Sequence, residues 1–172
     1  MAETAFFGVF KMSYYKNLFK SFFYAFRGVV STIKTERNMR VHLTCLVYMF
    51  SILGLTDWFV LSRTDWAVLA ISSALVIGAE LFNTAVENAV DLATKEYSEF
   101  AKKSKDAASG AVLICAVGAV AAGLFILLQP QAFSLMFEYF RSKPVMFAAF
   151  VLSIVPATLF IFLGFGKSRD EK

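Results

Sequence analysis

Residues that build disulfides, metal sites and turns are scarce in this chain of 172 residues, which has two cysteines, three prolines and one histidine. Cys45 and Cys115 both lie in apolar stretches and form no Cys-x-x-Cys motif, so a disulfide or thiolate metal site has little support. The sequence also lacks a Walker A motif and a protein-kinase glycine loop, so any nucleotide chemistry must use another scaffold. Charged residues make up only 17% of the chain, against about a quarter in soluble domains.

Apolar residues are abundant instead. They make up 58% of the chain, and 20 of them are phenylalanine. Three stretches, 43–61, 107–128 and 145–165, are long enough to cross a hydrocarbon layer of about 30 Å. A fourth, 66–79, spans only if its helix continues through Glu80 to about residue 90. We therefore expect an all-α membrane protein with four transmembrane helices, folded as a single domain over residues 1–172.

The positions of lysine and arginine predict how these spans are oriented. Fourteen of the 17 basic residues precede the first span, lie between the second and third, or follow the fourth. Only Arg63, Arg141 and Lys143 remain for the other side. Cytoplasmic loops carry the excess of basic residues, so both termini and the end of the second span are expected in the cytoplasm.

Residues 13–34 are predicted to form an amphipathic helix on the membrane surface. Bulky apolar residues between Phe19 and Ile33 recur at spacings of three and four, and the basic residues lie largely elsewhere. Such a helix lies in the headgroup layer, either as an anchor or as the wall of a lipid-accessible site. Just after it, Glu36 either pairs with Arg40, four residues on, or serves as an oxygen ligand near the headgroups.

Four polar residues interrupt the second apolar helix at positions Glu80, Asn83, Glu87 and Asp91. At about 100° per residue they project from one face. Acids at the end of a membrane helix are costly unless they gain a partner, a cation or water, so a functional role is the default explanation. Glu80 is the deepest of these carboxylates, and its distance from water suits it to act as a base.

A basic segment precedes the third span. Clustered carboxylates and an amide suit Mg²⁺, which takes one or two protein carboxylates and completes its shell with water and phosphates. Lys102, Lys103 and Lys105 would balance the charge of those phosphates, and a helix N-terminus near Lys105 would favour anions. Asp106 either caps that helix or belongs to the site. The pattern predicts a site for a metal–nucleotide complex beside the bilayer, where phosphoryl transfer needs positioning and one base.

Two strings resemble a known family. Residues 80–91, Glu-Leu-Phe-Asn-Thr-Ala-Val-Glu-Asn-Ala-Val-Asp, followed by Lys-Asp-Ala-Ala-Ser-Gly-Ala-Val-Leu from Lys105, look like the signature of the prokaryotic diacylglycerol kinase and undecaprenol kinase family. Thr-Glu-Arg-Asn at 35–38, after Phe-Arg-Gly at 26–28, is similar to that family's surface helix and first acidic position. The resemblance covers about residues 19–128 in order.

This resemblance implies an ATP-dependent lipid kinase of the bacterial cytoplasmic membrane. Its subunits have a surface helix and three core transmembrane helices, form a homotrimer and share composite active sites between neighbours. The enzyme moves the γ-phosphate of MgATP to the hydroxyl of a membrane lipid, and no nucleic acid partner is expected. Residues 26–38 resemble the undecaprenol kinase branch more closely, which favours undecaprenol as acceptor and undecaprenyl phosphate as product. Diacylglycerol, giving phosphatidic acid, is the alternative.

The resemblance also implies a role for individual residues. Glu80 matches the catalytic base, Glu36 and Glu87 match the metal-binding acids, and Asn83 and Asp91 fall at supporting polar positions. The positions that match substrate contacts are Tyr24, Glu96, Tyr97, Ser98, Lys105 and Asp106 for the nucleotide, and Arg40 and Ser109 for the lipid.

One segment departs from the family pattern. The fourth hydrophobic stretch, 145–165, lies beyond the family's usual end, and we expect it to pack outside the core as an additional C-terminal helix. A small ion or proton carrier is a further hypothesis, since acids within the membrane also mark transport pathways. A carrier would place acids near the midplane or on several spans, whereas here they crowd one end. A structural subunit would give the acidic cluster no purpose.

Overall fold

The computed structural model describes the backbone of residues 2–163 and the side chains of residues 18–163. This part of the chain contains six helices: α1 (Ala2–Thr35), α2 (Arg37–Leu55), α3 (Arg63–Ala93), α4 (Glu99–Leu127), α5 (Pro130–Ser142) and α6 (Pro144–Leu163). Helices α2, α3, α4 and α6 are long and apolar enough to cross a membrane. The protein is therefore an all-α membrane protein, as the sequence predicts.

Helix α1, which the sequence predicts to lie on the membrane surface, is longer than predicted. It begins at Ala2 rather than near residue 13, and it ends at Thr35. The sequence before Pro130 contains no proline that would interrupt a long helix. Its aromatic side chains are open in the isolated chain, with Phe19 75% and Phe22 68% exposed. A face of this kind suits contact with lipid.

Helix α2 lies earlier in the chain than the predicted first span at 43–61. It starts at Arg37, because the polar residues ahead of the apolar stretch continue the helix, and it ends at Leu55. The amide and the hydroxyl of Thr56 both donate to the carbonyl of Ile52, at 3.2 and 2.7 Å, which closes the last turn. The apolar residues 58–61, predicted to be helical, instead belong to the connection to α3.

Helices α3 and α4 form a hairpin that positions the candidate site. Ser62 and Asp65 start α3 with a capping box, in which the Ser62 hydroxyl accepts from the Asp65 amide and the Asp65 carboxylate accepts from the Ser62 amide. The helix then runs without interruption through Glu80 to Ala93, which confirms the predicted continuation. It packs more extensively against α4 than any other pair of helices in the described chain does.

Helix α4 begins well before the predicted span at 107–128. Ser98 is its N-cap, and the Ser98 hydroxyl accepts from the Ala101 amide at 3.5 Å. The polar residues that follow support the helix, since Glu99 and Lys103 form an ion pair at 3.6 Å, one turn apart. The prediction of a helix start near Lys105 was therefore wrong, and so was the alternative of Asp106 as its cap.

Of the two C-terminal helices, α6 packs against α2, and α5 packs against α6 and the connection that follows α2. Helix α5, which the sequence analysis did not identify, opens with Pro130 and brings Tyr139 against Trp58 with ring centroids 5.2 Å apart. Helix α6 matches the predicted fourth span up to residue 163, while 164 and 165 lie outside the described residues. Its Ser153 hydroxyl lies 2.8 Å from the Tyr48 hydroxyl of α2. An apolar cavity of about 480 Å³ lies between α2, α5 and α6.

Candidate active site

Three of the predicted polar residues form the acid face of α3: Glu80, Asn83 and Glu87. Their spacing of three and four residues places them on one side of the helix. Glu80 is only 1% and Asn83 8% exposed. Among the buried side-chain oxygens and nitrogens of the described chain, Glu80 Oε2 is left without a hydrogen-bond partner. Burying a carboxylate oxygen without a partner is costly, so this atom is expected to meet a proton or a ligand in function.

Asn83 connects the acid face to the neighbouring helix. Its amide nitrogen donates to Glu87 Oε1 at 2.9 Å. Its amide oxygen accepts from the Ser109 hydroxyl of α4 at 3.2 Å. The Asn83 amide therefore has a fixed orientation. Its oxygen is held by Ser109 of α4, and its nitrogen holds the Glu87 carboxylate. Ser109 thus acts on the site through Asn83 in this structure.

Glu36 reaches the same region from the junction between α1 and α2. It occupies the single non-helical residue between the two helices, with φ −99° and ψ 118°. The Thr35 hydroxyl donates to Glu36 Oε1 at 3.1 Å. Glu36 and Glu87 both lie close enough to Glu80 to act on it electrostatically. The α1–α2 junction and α3 therefore each bring a carboxylate toward Glu80.

The donor chemistry of these residues fits Mg²⁺, although the chain does not build a complete cage for it. Carboxylate oxygens are the ligands that Mg²⁺ prefers, and Glu36 and Glu87 each supply a carboxylate near Glu80. No group of three or more histidine, cysteine or acidic side chains is placed to hold a metal within the part of the chain that the structure describes. Mg²⁺ takes one or two protein carboxylates and completes its shell with water and phosphate oxygens, so two carboxylates are enough to fit it.

A large cleft of about 1450 Å³ lies beside the acid face. Its walls come from the end of α1, the last turns of α3, the 94–98 connection and the first turns of α4. On α3 the cleft is lined by Thr84, Ala85 and Asn88, which lie next to the acid face around the helix. Asp91 is at the border and lines the cleft as well. The acids and the cleft therefore occupy adjoining sides of the same helix.

The cleft carries most of the residues predicted to bind nucleotide. Its lining includes Glu96, Tyr97, Ser98, Lys105 and Asp106. The Lys105 ammonium forms an ion pair with Asp91, which ties α4 to α3 across the cleft. Both side chains remain partly open to solvent, at 37% and 48% exposure. An anion entering the cleft would meet Lys105 with its charge already balanced by one carboxylate.

Two predicted residues lie elsewhere. Tyr24 is 63% exposed on α1 and does not line the cleft of its own chain. Arg40 is buried, with 6% exposure, and its guanidinium donates to backbone carbonyls of α1 and α6. Neither side chain therefore lines the cleft of its own chain.

Some residues of the site were missed from the sequence. Lys95 lines the cleft, and Thr35 binds the Glu36 carboxylate. Of the three lysines predicted to balance the phosphate charge, Lys102 and Lys105 line the cleft, whereas Lys103 does not. Thr35 gave no signal in the sequence, because its contact depends on the break between α1 and α2.

Comparisons with known proteins give a consistent result. A sequence model of the family described as "Prokaryotic diacylglycerol kinase" matches residues 23–127. A protein of Synechocystis sp. named "Diacylglycerol kinase" is 44% identical over 115 residues. A protein of Bacillus subtilis named "Undecaprenol kinase" is 39% identical over 119 residues. The family match ends at the last residue of α4, so α5 and α6 lie beyond it.

The two relatives are covered to different extents. The similarity to the Synechocystis protein includes 66% of this chain and 64% of that protein, slightly less than two thirds of its length. The similarity to the Bacillus subtilis protein includes 64% of this chain and 87% of that protein.

Proposed function

Because the chain belongs to the prokaryotic diacylglycerol kinase family, we propose that it transfers the γ-phosphate of ATP to the hydroxyl of a membrane lipid at the acid face of α3. The observation that carries this proposal is the buried Glu80 carboxylate, with one oxygen unpartnered, beside a cleft lined by lysines. A base next to hydrocarbon matches the apolar substrate. The lysines of the cleft, which also contains three acidic residues, provide cations for the phosphates of the other substrate.

Glu80 is the proposed base. It accepts the proton of the lipid hydroxyl while that oxygen forms a bond to the γ-phosphorus of ATP. The bond between this phosphorus and the oxygen bridging to the β-phosphate breaks, and ADP leaves with the electron pair. Asn83 and Ser109 keep Glu87 in place through two hydrogen bonds, so the acid face is organised before substrate arrives.

Glu36 and Glu87 are the residues we propose to hold Mg²⁺. When bound with the nucleotide, this ion would supply charge neutralisation at the phosphate oxygens. The two carboxylates reach the region of Glu80 from different elements. The packing of α1 and α2 against α3 brings Glu36 toward Glu87.

The cleft is the proposed nucleotide site. Its volume exceeds the roughly 300–1,000 Å³ of ordinary small-molecule pockets. Lys102 and Lys105 face the phosphates in this proposal, and Glu96, Tyr97 and Ser98 from the connection lie near the rest of the nucleotide. Asp91 holds Lys105 in position through their ion pair. When nucleotide binds, the Lys105 ammonium shares its contacts between Asp91 and the phosphates.

Undecaprenol is the acceptor that we propose first, on the resemblance of residues 26–38 to the undecaprenol kinase branch, and the relative of that name is covered over 87% of its length. Diacylglycerol is the second candidate, because the relative named "Diacylglycerol kinase" has the higher identity, 44%. Apolar grooves discriminate weakly between lipid tails, so the acceptor needs a direct test.

We further propose that the chain works as a homotrimer in the bacterial cytoplasmic membrane, with its termini and the acid face toward the cytoplasm. The distribution of basic residues supports this orientation. Exposed small residues on α4, Ala107, Ala111 and Gly118, allow a neighbouring helix to approach closely. Tyr24, which lies outside the cleft of its own chain, would then contact the cleft of a neighbouring subunit.

The test is to incubate the purified protein with labelled ATP, Mg²⁺ and, separately, undecaprenol, diacylglycerol and ceramide. Label in undecaprenyl phosphate is the expected result, with less or none on the other two lipids. Stronger labelling of diacylglycerol would select the second candidate. Label on none of the three, in a preparation shown by circular dichroism to be helical, would end the kinase proposal.

A further inference from the structure

Arg40 is a buried cation that joins three helices. It lies in the first turns of α2 and is 6% exposed. Its Nη1 atom donates to the carbonyls of Ile33 and Lys34 in α1, at 3.0 and 3.1 Å. Its Nε atom donates to the carbonyl of Ile161 in α6, at 3.0 Å. All three of these acceptors are backbone atoms, provided by α1 and α6.

These acceptors explain why a buried guanidinium is stable there. The last four carbonyls of a helix have no partner within it. In α1, the carbonyl of Thr32 receives the Glu36 amide at 2.8 Å, and the next two receive Arg40. Ile161 lies in the last described turn of α6. The C-terminus of a helix carries a partial negative charge, so the end of α1 favours the Arg40 cation.

The position of these bonds bears directly on Glu36. This residue is the single break between α1 and α2. Arg40, which belongs to α2, binds the last turn of α1 across this break. The Arg40 amide also donates to the Glu36 carbonyl, at 3.4 Å. The angle between the two helices, and with it the direction of the Glu36 carboxylate, depends on this arginine. Helix α6 provides the third hydrogen-bond acceptor of Arg40, although α6 lies outside the family match.

We propose that Arg40 is a positioning residue that couples the C-terminal helix α6 to the placement of Glu36, so that α6 is part of the active-site scaffold. This inference rests on the proposed function of Glu36. It differs from the contact with lipid that the family resemblance implies for Arg40. The bond between Tyr48 and Ser153, halfway along α2, keeps α6 seated so that the Ile161 carbonyl reaches the guanidinium.

The first experiment compares Arg40→Ala and Arg40→Lys with Lys34→Ala, an exposed basic residue at the same junction. We expect Arg40→Ala to lower kcat about tenfold and to raise the Mg²⁺ concentration needed for half-maximal rate, because Glu36 loses its fixed direction. Arg40→Lys keeps the charge and restores part of the rate. The KM for lipid stays unchanged. A raised lipid KM with an unchanged Mg²⁺ requirement would overturn the proposal in favour of a lipid contact.

Hydrogen–deuterium exchange of the full-length variants provides a readout that needs no turnover. Arg40→Ala is expected to increase exchange both in residues 30–40 and in residues 157–163, while the α3–α4 hairpin keeps the exchange of the wild type. Lys34→Ala should leave both segments unchanged. Increased exchange at 30–40 alone would show that α6 does not depend on Arg40, which would overturn the coupling.

A second pair of variants changes α6 without changing Arg40. Ile161→Pro disrupts the last turn that presents the carbonyl, whereas Val145→Pro lies in the first turn of α6, where proline is tolerated. We expect Ile161→Pro to reproduce the kinetic effect of Arg40→Ala and Val145→Pro to have little effect. Because both act through one contact, the loss in the double variant Arg40→Ala, Ile161→Pro should not exceed the larger single loss. Additive losses would contradict the proposal.

These results separate the inference from the proposed function. If the wild-type chain phosphorylates no lipid, the proposed function fails, and the exchange experiment still tests whether Arg40 joins α1 to α6. If the wild type is active and the Arg40 and Ile161 variants match it, the coupling fails and the kinase proposal stands.

Discussion

Asn83 is the residue on which the organisation of the acid face depends. It donates to Glu87 and accepts from Ser109, so one amide orients a carboxylate on its own helix from a hydroxyl on the next. Partners of this kind fix the direction of a ligand before the ligand binds. The order of the site therefore comes from polar contacts between α3 and α4 as well as from apolar packing.

Removal of the Ser109 hydroxyl tests this network. In Ser109→Ala, Asn83 loses the bond that fixes its amide, and we expect kcat to fall by about threefold to tenfold while the protein stays folded. Ser104→Ala is the matched control, because its exposed hydroxyl donates only to the carbonyl one turn earlier on α4. Steady-state kinetics of both variants measure this difference. Equal losses of kcat in the two variants would contradict a role for the network.

Glu87 allows a test of metal binding. Glu87→Gln keeps the size of the side chain and its place beside Asn83 but removes a negative charge from the acid face. We expect the Mg²⁺ concentration for half-maximal rate to rise at least tenfold, with recovery of activity at high Mg²⁺. Titration of the rate with Mg²⁺ at fixed ATP measures this. An unchanged Mg²⁺ dependence would remove Glu87 from the proposed ligands.

Individual residues were predicted with different success. The convergence of Glu80, Asn83 and Glu87 followed from helical periodicity alone, because residues three and four apart share a face. The contact between Thr35 and Glu36 did not, because it depends on a helix break that leaves no strong local signal. The contacts of Arg40 with α6 link residues 121 apart in sequence, which no local pattern reveals.

At the scale of elements, the hairpin of α3 and α4 carries both the acid face and half of the cleft. The ion pair between Asp91 and Lys105 joins the two helices where the cleft opens. An exposed ion pair adds little stability, so its position in the cleft points to binding as its main role. The first two turns of α4, which extend beyond the apolar stretch, provide the lysines that line this side.

Neutralising Lys105 tests the cleft as the nucleotide site. Lys105→Gln removes a cation that we propose faces the phosphates, and it leaves the Asp91 charge unbalanced. Both effects oppose the binding of an anion. We expect the KM for ATP to rise about tenfold or more, with a smaller change in the KM for lipid. Lys103→Gln, which pairs with Glu99 outside the cleft, should retain the ATP dependence of the wild type. Equal effects of the two variants would contradict this assignment.

The helices themselves were predicted better than their ends. Long apolar stretches identified the four membrane-spanning helices, and the continuation of α3 through Glu80 followed from its apolar opposite face. The ends were misplaced because polar residues at a membrane interface extend a helix at little cost, as residues 37–42 do in α2 and 99–106 in α4. Helix α5 was missed because its 13 residues are too few to span a bilayer.

At the scale of the whole molecule, the chain divides into a part that matches the family and a C-terminal addition. Helices α1 to α4 hold the acids and the cleft, and α6 packs along α2. The addition thus leaves the outer face of α4 open in the described chain, with Phe125 92% and Ile114 74% exposed. This surface is available for lipid and for neighbouring subunits in the proposed trimer.

Mixed trimers test whether sites are shared. Tyr24→Ala and Glu80→Gln are each expected to lower activity, and unfolding and refolding them together should restore part of it, because one subunit supplies Tyr24 and its neighbour Glu80. The control mixes Glu80→Gln with Glu87→Gln, two changes on one helix, and should restore nothing. Absence of recovery in the first mixture, with mixed trimers shown by mass spectrometry, would contradict shared sites.

The most direct measurement of the central claim is the rate of lipid phosphorylation by Glu80→Gln beside Glu99→Gln. Glu80 is the buried acid that we propose as the base, and Glu99 is an exposed glutamate at the start of α4. We predict that Glu80→Gln loses about 10²–10⁴-fold in kcat while its helical content and thermal unfolding remain those of a folded protein, and that Glu99→Gln keeps the wild-type rate. A folded Glu80→Gln variant that phosphorylates lipid as fast as the wild type would contradict the account.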